Sequence, residues 1–418
     1  VSAASRRLAV VGGGSSGMMA AVSAARRGAA VVLLERGERV GRKLLATGNG
    51  RCNLSNSDAS LSRFHGGDAA FVAAVLSRFS AAGAVDFFEG LGIACRTEAE
   101  GRIYPLCGQA SAVLDVLRWE LEKLKVEVRT GYEVRRIVAG PDGFALALAA
   151  GGELDAGRVI LAAGGQAGPQ FGSDGAGLRL AAALGHRLVE PVAALVPLRL
   201  RADFLRRLKG VSLDGRAEVR CGDEVLRREQ GQLLFTDSGI SGLPVLQLSR
   251  SAAVALRQGK AARIVLDLFP GLGLEDLDAA LEVRFRRQAG KTLENGLVGL
   301  LHKRLIPVVL SEAGIDYRAL PCADVPPAAR LKLARLLKSW AIEIAGTMPW
   351  PEAQVTAGGV DLRDVDPETL ESRLVPGLFF CGEVLDVDGD CGGFNLQWAW
   401  SSGWLAGFAA VVGVGHRA

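Results

Sequence analysis

The sequence predicts an α/β fold, a Rossmann-like sheet with flanking helices that is interrupted by one large insertion. Three observations predict it. The first is at the start of the chain, where the short apolar run Leu8 to Val11 has the composition of a buried parallel strand. It leads into Gly12-Gly13-Gly14-Ser15-Ser16-Gly17, an Ala-rich helical stretch to Arg27, and a second apolar run, Ala30 to Leu34, ending at Glu35. The second observation is a related pattern near the other end. Pro376 to Glu383 reads as a short buried strand ending in Gly-acid, followed by Gly392-Gly393 and an apolar helical stretch from Trp398. The third is a change of texture between them, from alternating strands and helices to short strands with polar turns, then amphipathic helices.

The first run is a dinucleotide cradle in the order its chemistry needs. Gly12 permits the tight turn, Gly14 lets backbone approach a pyrophosphate, and Gly17 lets the helix lie close to the sheet. The turn, with Ser16 in it, opens a helix whose N-terminus offers free N–H groups and partial positive charge. Glu35 stands where a ribose hydroxyl donates, and Arg36 follows it. In a chain with 54 Gly the glycine spacing alone says little, so it is the order strand, glycines, helix, strand, acid that carries the reading. A further buried strand, Arg158 to Ala163, runs into Gly164 and marks another point where the sheet meets the nucleotide. Val134 completes the contacts expected on this side.

The second end identifies the nucleotide. Gly382-Glu383 places an acid just after a strand, where it accepts from a sugar or ribityl hydroxyl. Gly393-Phe394-Asn395-Leu396 opens a helix whose amides suit the charge that develops at N1 and C2=O of a reduced flavin. A plain NAD domain has no need of this distant second site, whereas FAD, with its ribityl chain and ring system, does. No second G-x-G-x-x-G lies in strand-to-helix context, which leaves NAD(P)H as a transient electron donor rather than a resident cofactor.

At 418 residues the chain has room for two or three domains. The expected boundaries are an N-terminal part of the FAD domain at 1–190, a β-rich insertion at 191–270, a helical insertion at 271–343, and the C-terminal part of the FAD domain at 344–418. Net charge is +4 and aromatics are 6% of residues, with no basic–aromatic interleaving, so a small-molecule substrate is expected and no nucleic-acid partner. Seven Cys at irregular spacing, with no C-x-x-C and four dispersed His, argue against a metal site and for reduced thiols in a cytoplasm. No signal peptide is expected, because a Rossmann strand begins within a few residues. The apolar stretch 398–414 reads as a buried helix of the cofactor domain rather than a membrane span.

Between the two ends, Gly41-Arg42-Lys43-Leu-Leu-Ala-Thr47-Gly48-Asn49-Gly50-Arg51-Cys52-Asn53 packs glycines, cations and amides into a loop suited to an anionic cofactor. Arg42 and Lys43 are candidates to neutralise pyrophosphate, and Asn49, Arg51 and Asn53 to donate to flavin or substrate. Cys52 reads as a packed free thiol. Here the chain resembles the bacterial FAD-binding flavoproteins of aminoacetone-oxidase type, also called NAD(FAD)-utilising dehydrogenases. The resemblance rests on this run and on Gly101-Arg102-Ile-Tyr104-Pro105, Leu234 to Gly242, Gly358-Gly-Val360 and Gly392 to Gln397; Cys381 departs from the small residue expected there. It implies noncovalent FAD, a glutathione-reductase-type FAD domain, and a β-barrel-like plus helical insertion. Catalytic candidates are Asn49, Arg51, Arg102 and Tyr104; His65, His186 and His302 read as structural. The function expected is that of an FAD-dependent oxidoreductase acting on a small organic substrate. Amine or aminoketone oxidation is the first reading and NAD(P)H-dependent reduction of an activated double bond the second. A flavin-bearing RNA-binding or scaffold protein is a third, from another class.

Overall fold

The computed structural model describes residues 7–412, so the outermost parts of the expected 1–190 and 344–418 segments, residues 1–6 and 413–418, lie outside the described residues. The chain divides into two units, residues 1–192 with 353–418, and residues 193–352.

In the first unit the apolar runs form one parallel sheet of five strands. Its order is Leu378–Phe380, Arg158–Leu161, Leu8–Val11, Val31–Glu35 and Glu127–Thr130. Four of these strands come from the N-terminal segment and one from the C-terminal segment, so the sheet is complete only when both ends of the chain have joined it. The near-continuous apolar composition of the first four follows from burial on both faces, whereas the edge strand Glu127–Thr130 is polar and largely exposed. The meander expected after Tyr132 is a three-stranded antiparallel sheet, Val134–Gly140, Gly143–Leu148 and Glu153–Ala156, turning at Gly140–Gly143.

The helix Phe394–Val412 is mostly buried. It packs on the helix Ser15–Ala25 through small residues: a Cβ on Gly403 would lie 2.4 Å from Ser16 O, and one on Gly407 2.2 Å from Ala20 O. Ser23 Oγ donates to Trp404 O at 2.8 Å across the same contact. The close approach explains why a long apolar helix carries Gly at i and i+4 on one face.

The second unit is built on a closed antiparallel barrel of six strands. Around the barrel they are Leu198–Arg201, Gly239–Ser241, Glu224–Phe235, Ser212–Cys221, Arg263–Asp267 and Trp340–Thr347. Alternate residues fill it, among them Val219, Leu233, Phe235, Ile264, Leu266, Ile342 and Ile344. Helices Leu243–Arg257, Leu274–Arg287, Leu305–Glu312 and Pro327–Lys338 belong to the same unit. The last barrel strand follows the final helix and runs across position 343.

Candidate functional site

Strand Leu8–Val11 delivers Gly12 at φ +110°, a region that side chains rarely adopt, and a Cβ there would lie 2.5 Å from Ala162 O. The neighbouring strand ends at this point, so Ala163 and Gly164 come to the same edge. Gly17 is equally constrained, since its Cβ would meet Gly12 O at 1.9 Å. Gly14 is different. Its φ is −78°, and nothing lies within 4 Å of where a Cβ would be. The helix makes its first closing bond from Met18 N to Gly14 O at 2.9 Å, so the amides of Ser15, Ser16 and Gly17 precede the helix's own bonding. Open space over Gly14, at a helix N-terminus, is the form of an anion cradle.

Glu35 closes that cradle. One carboxylate oxygen accepts from Gly13 N at 2.8 Å and the other from Gly37 N at 2.7 Å. Tyr132 N donates to Glu35 O at 2.9 Å, which draws the start of the meander, with buried Val134, to the same edge. Arg36 pairs with Asp174 at 2.9 Å. Burial opposes ionisation of Asp174, but hydrogen bonds from Arg36 and Ala176 N outweigh it and hold the carboxyl below its usual range.

The Gly41–Asn53 segment is a short helix, Arg42–Ala46, followed by left-handed turns at Gly48, Asn49, Gly50 and Cys52. Lys43, a pyrophosphate candidate in the sequence, directs its charge at Glu383, with Nζ 2.8 Å from Oε2. Glu383, a candidate for a ribityl hydroxyl, thus binds Lys43, while its other oxygen accepts from Thr356 Oγ1 at 2.7 Å. Thr356, which sequence reasoning missed, is fully buried and its Oγ1 accepts in turn from Gln166 N and Ala167 N at 2.8 and 3.0 Å. Arg42 donates to Gln170 O at 2.8 Å. Cys52 is fully buried, and burial pushes its thiol up to about 12 despite the Thr47 hydroxyl, so it is no nucleophile near neutrality.

Arg51 and Tyr104 are brought together. The guanidinium lies 4.2 Å from the ring centroid, held by Glu98 at 2.5 Å. The Tyr104 ring is buried against the Gly48 turn, and its hydroxyl has no hydrogen-bond partner among the described residues. Arg102, two residues earlier on the strand Arg102–Pro105, is paired with Glu100 instead. Asn49 is exposed at the tip of the left-handed turn.

At the second end, Gly382 N donates to Ser402 Oγ at 2.9 Å, and a Cβ on Gly382 would strike Ser16 Oγ at 2.3 Å. This packs the Gly382-Glu383 turn directly on the first cradle. The C-terminal helix makes its first closing bond from Gln397 N to Gly393 O at 2.9 Å, which leaves the amides of Phe394, Asn395 and Leu396 at its open end. The Asn395 side chain folds back on the preceding loop, accepting from Gly389 N and donating to Gly389 O at 2.8 and 2.7 Å. Its contribution to a ligand is therefore the backbone amide. Phe394 packs edge-on to Phe64. Gln397, also missed from the sequence, is fully buried and accepts from Ser55 Oγ at 2.6 Å. It ties the helix to the segment that carries Asn53, whose Oδ1 is buried without a partner. His65, for which the sequence offers no partner, lies 2.8 Å from Asp390 Oδ1.

Two helix N-termini, an acid at each end, and a buried unpaired acceptor fit FAD. Glu35, the Gly12–Gly17 turn and Val134 would hold its adenosine and pyrophosphate side. The Gly41–Asn53 segment, Glu383 and the start of the C-terminal helix would hold its ribityl and ring side. Among the described residues no three His, Cys, Asp or Glu side chains converge as a metal site.

The family described as HI0933-like protein Rossmann domain matches residues 6–409. The 3-dehydro-bile acid delta(4,6)-reductase of Clostridium scindens is 40% identical over 91% of this chain and 92% of its own length. The ribosomal RNA dihydrouridine synthase of Escherichia coli is 32% identical over 89% of this chain and 90% of its own. Among solved structures, a 3-ketosteroid delta1-dehydrogenase from Sterolibacterium denitrificans superposes with a TM-score of 0.52 at 15% identity, covering 97% of this chain and 100% of that one, a likeness of fold. The aminoacetone-oxidase label suggested by the sequence gives way to this broader family.

Proposed function

The chain belongs to the HI0933-like family of FAD-binding Rossmann proteins, and on that premise we propose that it reduces a carbon–carbon double bond conjugated to a carbonyl. It is an FAD-dependent oxidoreductase; the finer reaction is our reading. The observation that carries it is that two relatives above 30% identity, with unrelated substrates, are named for the same change of bond order. A 3-dehydro-delta(4,6) bile acid and a uridine both hold a double bond in conjugation with a carbonyl, and the named activities saturate it.

FAD, when bound, supplies two-electron transfer at carbon. The chain's own residues bind it and handle the substrate. As electrons enter such a double bond, negative charge moves to the conjugated oxygen, and a donor aimed there lowers the barrier. Tyr104 is the donor we assign, because its hydroxyl lacks a protein partner and its ring is fixed under Arg51. Arg51 shares its charge with Glu98 and positions the ring. NAD(P)H is the proposed electron source. A ribosomal RNA substrate is the second reading, supported by the 32% relative. Oxidation of an amine or aminoketone, the first expectation from the sequence, is an alternative that the same cradle would serve.

The test is anaerobic incubation with NADH or NADPH and, separately, a dienone bile acid, a 4-en-3-one steroid, ribosomal RNA and aminoacetone, followed by mass spectrometry. The expected result is addition of two hydrogens to an enone, dependent on the nicotinamide. No reduction of any enone or RNA, together with oxidation of the amine in air, would overturn the proposal.

A further inference from the structure

The geometry points to Asn53 as the group that accepts the N3–H of the bound flavin, so that Asn53 and the start of the helix Phe394–Val412 together read the imide edge of the ring. The inference rests on FAD being the cofactor, and goes beyond it by assigning one atom of the ring to one atom of the chain. Asn53 Oδ1 is buried and has no hydrogen-bond partner. A buried amide oxygen left unpaired loses its hydration without compensation, so it marks a place where a donor belongs. Beside it lies the open end of the C-terminal helix, for a Cβ on Gly393 would be 2.8 Å from Asn53 Oδ1 and 2.3 Å from Ser55 O. The amides there want acceptors and Asn53 wants a donor, yet they do not satisfy each other.

Both are held firmly. Leu54 N donates to Ile103 O at 2.8 Å, Trp400 Nε1 donates to Leu54 O at 2.9 Å, and Ser55 Oγ donates to Gln397 Oε1 at 2.6 Å. The chain around Asn53 is thus bonded to the first turns of the helix on one side and to the strand of Tyr104 on the other. Amide donors next to a carbonyl acceptor, in a fixed frame, complement a carbonyl next to an N–H. An imide presents that pattern as acceptor, donor, acceptor. The pyrimidine edge of the isoalloxazine is an imide, and N3–H is the one N–H of the oxidised ring. Uracil has the same edge, so a uridine substrate is the other source of this chemistry. We commit to the flavin, because Asn53 ends the segment whose Lys43 holds Glu383 at the second end of the cradle.

The experiment reconstitutes the full-length apoprotein with FAD and with N3-methyl-FAD, and measures each dissociation constant by flavin fluorescence. Wild type should bind FAD at least tenfold more tightly than the methylated analogue, and Asn53→Ala should level the two. In an alkaline spectral titration, the N3 proton of FAD on wild type should ionise at higher pH than in free FAD, and on Asn53→Ala nearer the free value. Equal binding of FAD and N3-methyl-FAD by wild type overturns the assignment without needing any variant. So does a preference that survives Asn53→Ala. Titration of the holoprotein with uridine and N3-methyluridine separates the other source, since discrimination there that vanishes in Asn53→Ala assigns the edge to substrate and sinks the proposal. Wild type that takes up no FAD at all fails the cofactor reading first, and this inference with it.

Discussion

Lys43 and Glu383 stand 340 positions apart in the chain and form an ion pair of 2.8 Å. The pair joins the loop after the first acid to the turn that opens the C-terminal cradle, with Thr356 fixing the second oxygen of Glu383. Both side chains are partly exposed, so the pair's own coupling is about 1 kcal/mol. Glu383→Gln and Lys43→Met should each weaken FAD binding roughly tenfold, and the double variant should be little worse than either single one. Fluorescence titration with FAD measures all three. Strictly additive losses would mean that the two residues act independently.

Gly14 and Gly17 separate binding from folding. A Cβ on Gly14 would have no atom within 4 Å and the backbone conformation there is ordinary, so Gly14→Val should keep the apoprotein's unfolding midpoint while abolishing FAD uptake. A side chain on Gly17 meets Gly12 O at 1.9 Å, so Gly17→Val should destabilise the fold itself, by roughly 3 kcal/mol or more. Thermal unfolding of the two apoproteins and their FAD content check this. A Gly14→Val protein that still purifies with full FAD would remove the pyrophosphate from this turn.

Cys52 is buried with its thiol pushed up to about 12, so Cys52→Ser should retain most turnover. Complete loss of activity in a variant that keeps its FAD would make the thiol chemical after all.

His186 gives the cofactor domain a pH-dependent contribution. It is buried against Phe380, its Nδ1 donates to Ala181 O at 3.1 Å, and its Nε2 accepts from Ser372 Oγ at 2.7 Å. Burial, partly offset by the Ala181 carbonyl, lowers its pKa from 6.5. The folded form therefore keeps it neutral while the unfolded chain takes up a proton below about 6.5. Protonation favours the unfolded state, so this stability is present above that pH and is lost as pH falls towards the lowered folded value. His186→Gln should cost about 1–2 kcal/mol at pH 7 and less at pH 5. Urea midpoints at the two pH values measure it, and a difference independent of pH would exclude His186 as the source.

The local patterns were legible where neighbours in sequence are neighbours in space. Leu8–Val11, the glycine turn, the helix and Glu35 form one continuous unit, and the order of its parts along the chain placed each of them. The strand Trp340–Thr347 was not legible as part of a barrel, although Trp340, Ile342 and Ile344 alternate inward. It follows a run of helices, and its partners Leu198–Arg201 and Arg263–Asp267 are distant in sequence. Thr356 and Gln397 were missed for a related reason. Each is a polar residue in an apolar element, which is a visible signal, but its partner is set only by the fold. The charges of the Gly41–Asn53 loop were visible and their targets were not, since Glu383 and Glu98 reach Lys43 and Arg51 only through tertiary structure.

The measurement that tests the account most directly is an anaerobic absorbance titration of the purified yellow protein. NADH or NADPH should bleach the flavin band, and a conjugated dienone added afterwards should restore it in proportion to the double bonds saturated. Tyr104→Phe should bleach normally and recover roughly a hundredfold more slowly, as expected when one donor to a developing oxyanion is lost. A flavin that no nicotinamide bleaches, but that an amine does, would contradict the account, and so would a bleached flavin that no enone or RNA restores.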